Sequence, residues 1–190
     1  MNFLNQIDTS FFLFLNNLHH PSLDFIMLQL SYNYIIMGIL LLLLLFWSYY
    51  KFKKNVFLVF LFLGLGFGAS DAISSRVLKD NIKRLRPCHQ QELKDKVYLA
   101  GKNCWGGKYG FVSSHASNSF MISTFFILLF GFSFKYFWLW FYSLLVCYSR
   151  IYLARHFPGD ILGGMVLGIF CALISFKFYK IVEAKIIQKY

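Results

Sequence analysis

Five stretches of this chain stay apolar for about 17 to 22 residues each, the length a helix needs to cross the hydrocarbon core of a bilayer. They run over 34–50, 55–72, 114–133, 135–153 and 160–178. In lipid a backbone must satisfy its own hydrogen bonds, so a spanning segment of this length folds as an α-helix. Composition agrees: the chain is 58% hydrophobic, with 24 Phe and 12 Tyr among 190 residues and 14% charged residues. A soluble domain of this size would leave much of that apolar surface in water. The predicted fold class is all-α, a polytopic membrane bundle of five to six transmembrane helices, with one domain over 1–190.

The sixth candidate span covers 8–30. Asn16, Asn17, His19, His20 and Pro21 interrupt it. That pattern fits either a broken span or an interfacial helix, and we read 1–33 as a short span plus an interfacial piece. Met1 to Ser10 contains Asp8 and no Lys or Arg. It lacks the basic start of a cleavable signal, so the first apolar stretch is expected to be retained.

Polar residues concentrate in 73–112. Ser74 to Leu85 holds few helix breakers, which predicts that the preceding helix continues out of the membrane until Pro87 ends it. The rest, with Gly101, Gly106, Gly107 and Gly110, reads as a loop. Gly64 with Gly68, and Gly164 with Gly168, are small-xxx-small pairs suited to close helix packing, although glycine is common in membrane helices anyway.

Alternation of sides then brings distant residues together. The ends of spans 55–72 and 135–153 and the starts of spans 114–133 and 160–178 fall on one membrane face. Three short clusters occupy these ends: Lys79 with Arg86-Pro87, Ser113-Ser114-His115, and Ser149-Arg150 with His156 and Asp160. Ionisable groups at membrane depth are expensive and usually functional.

Each cluster alone has an ordinary reading as well as a chemical one. Lys79 and Arg86 are seven residues apart, two helical turns, and would share a face with an anion between them; they also fit a solvated basic helix end. Ser113 suits a helix N-cap, and first-turn N–H groups bind anions; Ser-Ser-His is equally an ordinary capped helix with a boundary histidine. Asp160 can orient His156 as a nucleophile requires; it can equally pair with Arg150 or Arg155.

Taken in order, the blocks are Lys, six residues, Arg-Pro; Ser-x-His; then Ser-Arg, five residues, His, three residues, Asp. This pattern resembles the type-2 phosphatidic acid phosphatase family, membrane phosphatases that share a site design with vanadium haloperoxidases. The first and third blocks match completely. The middle block of the family reads Pro-Ser-Gly-His, whereas here it is Val112-Ser113-Ser114-His115. The resemblance implies that Lys79, Arg86 and Arg150 bind phosphate oxygens together with Ser113, Ser114 and backbone N–H groups. It implies that His156 attacks phosphorus with Asp160 orienting it, and that His115 protonates the leaving group. No metal or other cofactor is implied, since cations and helix N–H groups face the charge.

The expected substrate is therefore a membrane lipid phosphate or diphosphate. Phe14-Leu15-Asn16 and Pro21-Ser22-Leu23-Asp24 look like small bacterial members acting on undecaprenyl diphosphate, which makes that lipid the first expectation. Lipid A, phosphatidylglycerol phosphate and phosphatidic acid are alternatives. A vanadate-dependent oxidase is disfavoured because its known members are soluble and longer. A non-catalytic lipid-phosphate binder or transporter is disfavoured by the intact His115, His156 and Asp160. Tyr98, Trp105, Tyr109 and Phe111 fit a substrate entrance or simple interfacial anchoring.

The net charge is +11. Its cations flank apolar spans and form no basic soluble domain, which excludes nucleic acid as a partner. No obligatory protein partner is inferred. Lys51, Lys53, Lys54, Lys135, Lys177, Lys180, Lys185 and Lys189 lie on the side opposite the clusters, with only Glu183 against them. That side is the expected cytoplasmic face, although the other eleven Lys and Arg lie on the cluster side, among acids and candidate phosphate ligands. The site would then open to the periplasmic or extracellular side of a bacterial inner membrane. Cys147 and Cys171 read as packing residues. Cys88 and Cys104, separated by fifteen residues, fit no standard zinc spacing; they are either a disulfide or two loop thiols.

Overall fold

The computed structural model describes residues 3–32, 34–100, 103–104 and 106–188, and the described residues contain no strand. Among the described residues there are eight α-helices: α1 Phe3–Asn16, α2 Pro21–Tyr32, α3 Tyr34–Phe52, α4 Val56–Ala72, α5 Lys79–Ile82, α6 Ser114–Phe130, α7 Trp138–Tyr152 and α8 Pro158–Ile187. A π-helical turn, Ile73–Leu78, makes α4 and α5 continuous. Ile35–Phe52, Val56–Ile82 and Pro158–Ile186 are long and apolar enough to cross a membrane, and Ser114–Phe130 is a shorter apolar helix.

The five apolar runs expected to span fold as the helices α3, α4, α6, α7 and α8, of which α3, α4 and α8 lie in the segments long and apolar enough to cross. Their outer faces carry exposed Leu42, Phe46, Phe57, Leu65, Val166 and Phe170, as surfaces that meet lipid do. The helix α6 lies at the centre, packed against α4, α7 and α8. Met121, Phe125, Phe126 and Ile127 on α6 are fully buried, against Val59 of α4 and Tyr179 of α8. Serines tie the helices across the core: Ser70 to Ser117, and Ser123 to Ser143 at 2.5 Å. Such bonds stabilise membrane helix pairs by about 0.6–2 kcal/mol each.

Glycines set the α6–α8 distance. A Cβ on Gly164 would lie 2.5 Å from the Ser113 carbonyl oxygen, and one on Gly168 would run into that of Ser117. No side chain fits there, so the two helix starts are held backbone to backbone. The other expected pair does not pack: nothing approaches within 4 Å of a Cβ on Gly64 or Gly68. Gly66 between them is the packing glycine, against Met121 and Ser175.

The N-terminal segment breaks at 17–20, as its polar run predicts, but it does not hang loose. Asn16 is fully buried; its Nδ2 donates to the Tyr152 carbonyl at 2.8 Å and its Oδ1 accepts from Tyr98 N at 2.7 Å. Asp24 accepts from the hydroxyls of Tyr98 at 2.7 Å and Tyr152 at 2.5 Å. These bonds dock α1 and α2 against α7 and the 73–112 segment.

One boundary differs from expectation. The helix that begins at Val56 stops at Ile82 rather than running to Pro87, because Lys83 takes a left-handed conformation at φ 50°. The chain then extends, and Leu85 bridges Tyr109 antiparallel. A disulfide joins Cys88 and Cys104, whose Cα atoms lie 5.6 Å apart. It closes the polar segment over the helix ends.

Candidate active site

The three clusters converge at one end of the bundle. Lys79 reaches it from α5: its Nζ donates to Ser114 Oγ at 2.9 Å. Ser114, which stands where the family pattern has Gly, also accepts from Ser74 Oγ at 3.1 Å. The extra hydroxyl therefore anchors the lysine rather than occupying empty space.

Arg86 arrives by a different route from the one its spacing predicts. It is not on the same helical face as Lys79; the extended segment after Lys83 delivers it. Its backbone N donates to the Lys108 carbonyl at 3.1 Å and its Nε to the Tyr109 carbonyl at 3.1 Å. Gly110 makes room for it: a Cβ there would meet Asp160 Oδ2 at 2.9 Å and Arg86 Cγ at 3.3 Å.

Ser113 caps α6, its Oγ accepting from Ala116 N at 3.4 Å, while its own N donates to the Asp160 carbonyl at 3.0 Å. The start of α6 is thus bonded to the start of α8. His115, half-buried in the first turn of α6, lines a cavity of about 320 Å³. Asp71, Asn118 and Ser114 supply its polar wall; Leu30, Met37 and Phe67 supply apolar surface.

His156 lies in the loop before α8 and is 1% exposed. Its Nδ1 is 3.5 Å from Asp160 Oδ2. That places Asp160 on the Nδ1 side of the ring and leaves Nε2 on the other. Asp160 is the third residue of α8 and caps its own helix by accepting from Phe157 N at 3.0 Å. Pro158 stands in the first turn, where no donor is lost. Burial first, and then the charges of Arg150, Arg86 and Lys79, hold the His156 imidazole well below its ordinary value. The ring is neutral at pH 7, the form in which a nitrogen can act as a nucleophile.

Arg150, near the end of α7, is 4% exposed. Its Nη1 donates to Ser31 Oγ and, at 3.4 Å, to the Ser31 carbonyl. All eight residues singled out for catalysis or phosphate binding therefore meet within one neighbourhood.

The sequence pattern missed the residues that support them. Arg84 donates to Asp160 Oδ1 at 2.8 Å and to Asp8 Oδ2 at 2.6 Å, and Asp8 Oδ1 accepts from Gly159 N at 2.8 Å. An acid in an otherwise apolar first segment was the available signal for Asp8. Ser31 and Tyr32, at the end of α2, also wall the cavity; nothing in their local sequence marks them. Of the aromatic residues considered for an entrance, Tyr98 stacks on His19 with ring centres 3.7 Å apart. Phe111 packs against the position of Gly163, and Trp105 lies outside the described residues.

One cluster among the described residues has metal-ligand atoms close together, Cys88, His89 and Cys104 within 4.8 Å. The disulfide engages both sulfurs, leaving His89 as its one remaining donor.

Residues 60–183 match the PAP2 superfamily. A lipid A 4'-phosphatase of Porphyromonas gingivalis is 32% identical over 181 residues, covering 94% of this chain and 75% of that protein. A lipid A 4'-phosphatase of Bacteroides thetaiotaomicron is 31% identical over 175 residues, covering 87% and 74%. The crystal structure of Aquifex aeolicus LpxE superposes with a TM-score of 0.68 at 29% identity, over 89% of this chain and 94% of that one. The first transmembrane PAP2 type phosphatidylglycerolphosphate phosphatase from Bacillus subtilis gives 0.68 at 21% identity, over 98% and 89%, a likeness of fold. With the match running over well more than half its length, the chain belongs to the PAP2 superfamily and is a membrane lipid phosphatase.

Proposed function

We propose that this chain hydrolyses the 4'-phosphate monoester of lipid A through a phosphohistidine on His156. The observation that carries the substrate is that both curated relatives, matched over 94% and 87% of this chain, are lipid A 4'-phosphatases. The cavity beside His115 supports it, since one polar wall and one apolar wall suit a sugar phosphate whose acyl chains stay in lipid. This reading displaces undecaprenyl diphosphate. The N-terminal residues that favoured that lipid, Asn16 and Asp24, are engaged in docking α1 and α2, work that any substrate class would need.

In this mechanism Lys79, Arg86 and Arg150 neutralise the phosphate oxygens, with Ser113, Ser114 and the first N–H groups of α6 beside them. Nε2 of His156 attacks phosphorus, the bond to the sugar oxygen breaks, and His115 gives that oxygen its proton. Asp160, on the Nδ1 side, stabilises the cationic ring. His115 then takes a proton from water, which attacks the phosphohistidine. Inorganic phosphate leaves and His156 returns to its neutral form. The residues supply all charge stabilisation and both proton transfers without a metal. The site opens to the periplasmic side of the inner membrane, opposite the lysine-rich ends.

The test is phosphate release by the purified chain in detergent with EDTA present, beside His156→Ala. Substrates are lipid A, undecaprenyl diphosphate, phosphatidylglycerol phosphate and phosphatidic acid. Lipid A is expected to turn over fastest, with release lost in the variant. Faster release from another lipid would overturn the substrate, and release that survives His156→Ala would overturn the mechanism.

A further inference from the structure

A buried guanidinium is costly unless it is hydrogen-bonded and paired. Arg155, the residue before His156, is 2% exposed. It makes no ion pair among the described residues, and its Nη1 has no hydrogen-bond partner among them. The buried carboxylate of Asp160 is already engaged by Arg84 and by Phe157 N.

Its surroundings add positive charge instead of relieving it. The Arg155 guanidinium carbon lies 5.9 Å from the centre of the Tyr32 ring, and that of Arg150 lies 5.4 Å from the same ring. Arg86 is the third member: burial, and then the charge of Arg155, hold its guanidinium below the ordinary value. Two guanidiniums thus share one tyrosine on the wall of the His115 cavity, and Arg86 feels the charge of Arg155 beside them. The backbone builds this convergence. Ala154 turns left-handed at φ 52°, and Arg155 N donates to the Arg150 carbonyl at 2.8 Å, bringing the two arginines back together.

The buried Arg155 charge stays without a hydrogen-bond partner at Nη1 until an anion arrives. We propose that Arg155 is a further ligand of the substrate phosphate, donating from Nη1 to a phosphoryl oxygen alongside Lys79, Arg86 and Arg150. The ligand class is a tetrahedral oxyanion, whose equatorial oxygens gather charge in the transition state. The segment that carries the nucleophile would then also carry a fourth cation. The inference rests on the reading of the basic cluster as a phosphate site. The alternative is a structural role, with Arg155 serving only as a cation stacked on Tyr32.

Thermal unfolding and vanadate inhibition of the full chain in detergent separate these. Orthovanadate is the probe, and Arg155→Met and Arg155→Lys are compared with wild type. Without anion, Arg155→Met is expected to melt at or above wild type, because it removes an unpaired buried charge. Its vanadate inhibition constant is expected to rise about 10- to 100-fold, the loss of one charge-assisted hydrogen bond, and vanadate should stabilise it less. Arg155→Lys should recover part of both effects. If Arg155→Met fails to fold, Arg155→Lys alone decides, with a raised inhibition constant at an unchanged melting temperature as the supporting result. Vanadate inhibition like wild type in every variant that folds would overturn the assignment. A wild-type protein that neither binds vanadate nor releases phosphate would overturn the phosphate reading of the whole cluster, a result distinct from the loss of Arg155 alone.

Discussion

Replacing Arg84 with methionine tests whether the ion pair behind Asp160 sustains the site. Arg84 holds Asp160 Oδ1 at 2.8 Å and Asp8 Oδ2 at 2.6 Å, with its guanidinium 4.3 Å from the Phe157 ring centre. The Asp160 side chain is 0% exposed and that of Arg84 is 20% exposed. Methionine keeps most of the volume over Phe157 and removes the charge. Removing one partner of a buried pair costs about 3–5 kcal/mol. Arg84 is partly exposed, so water can reach the orphaned carboxylate and the lower figure applies. For a chain of this size about 3 kcal/mol corresponds to a fall in melting temperature of about 6–12 °C. Activity should fall further than occupancy of the folded state explains. Asp160 is 3.5 Å from His156 Nδ1, and a shift of about 1 Å in a reacting group costs about 100-fold. The assay is thermal unfolding in detergent with kcat and KM measured below the melting range. The expected result is a large loss in kcat with a modest change in KM. A melting temperature within 1 °C of wild type and an unchanged kcat would refute the reasoning.

Three further outcomes follow from the geometry. Gly168→Val drives a side chain onto the Ser117 carbonyl, where even a Cβ would clash. It should destabilise by about 1–3 kcal/mol and lower activity, while Gly64→Val, in open space, leaves melting and phosphate release unchanged; equal effects at both sites would contradict the packing. Cys88→Ser with Cys104→Ser opens a loop with a sequence separation of 16. Unfolding should shift by about 3 kcal/mol, and a reducing agent should reproduce this in wild type; identical melting curves would contradict it. Folding depresses the His156 value, so the unfolded chain takes up a proton there below about pH 6.5 while the folded chain does not. This contribution is intact above about pH 6.5 and is lost as pH falls. His156→Gln should therefore melt with a weaker acid dependence than wild type between pH 7 and 5, and parallel curves would count against a buried neutral imidazole.

Much of the fold was legible because lipid imposes a length rule on helices. The apolar runs at 34–50, 55–72 and 114–133 correspond to α3, α4 and α6. The polar break at Asn17–His20 separates α1 from α2 for the same reason. The pattern understated α8, which runs to Ile187, because its Lys-bearing end breaks the apolar run without breaking the helix. The route of Arg86 was not legible. Spacing seven residues from Lys79 suits a continuous helix, and nothing in Lys83 announces a left-handed turn; the tertiary bridge between Leu85 and Tyr109 overrides local preference. Lys79, His115, His156 and Asp160 could be singled out by residue type and spacing, and the structure brings them to one end of the bundle. Arg84, Asp8 and Ser31 act through positions fixed by three-dimensional packing, so spacing alone could not link residues 8, 84 and 160. Gly64 and Gly68 show the opposite error, where a packing motif of the right spacing faces open space.

The central claim is that His156 becomes covalently phosphorylated during hydrolysis of lipid A. The most direct measurement is an alkaline detergent quench of the purified chain within one turnover of lipid A carrying a radiolabelled 4'-phosphate, followed by peptide mapping at alkaline pH. The account predicts an acid-labile, base-stable label on the peptide holding His156, absent from His156→Ala. Rapid release of labelled phosphate with no labelled histidine, or with the label on another residue, would contradict it.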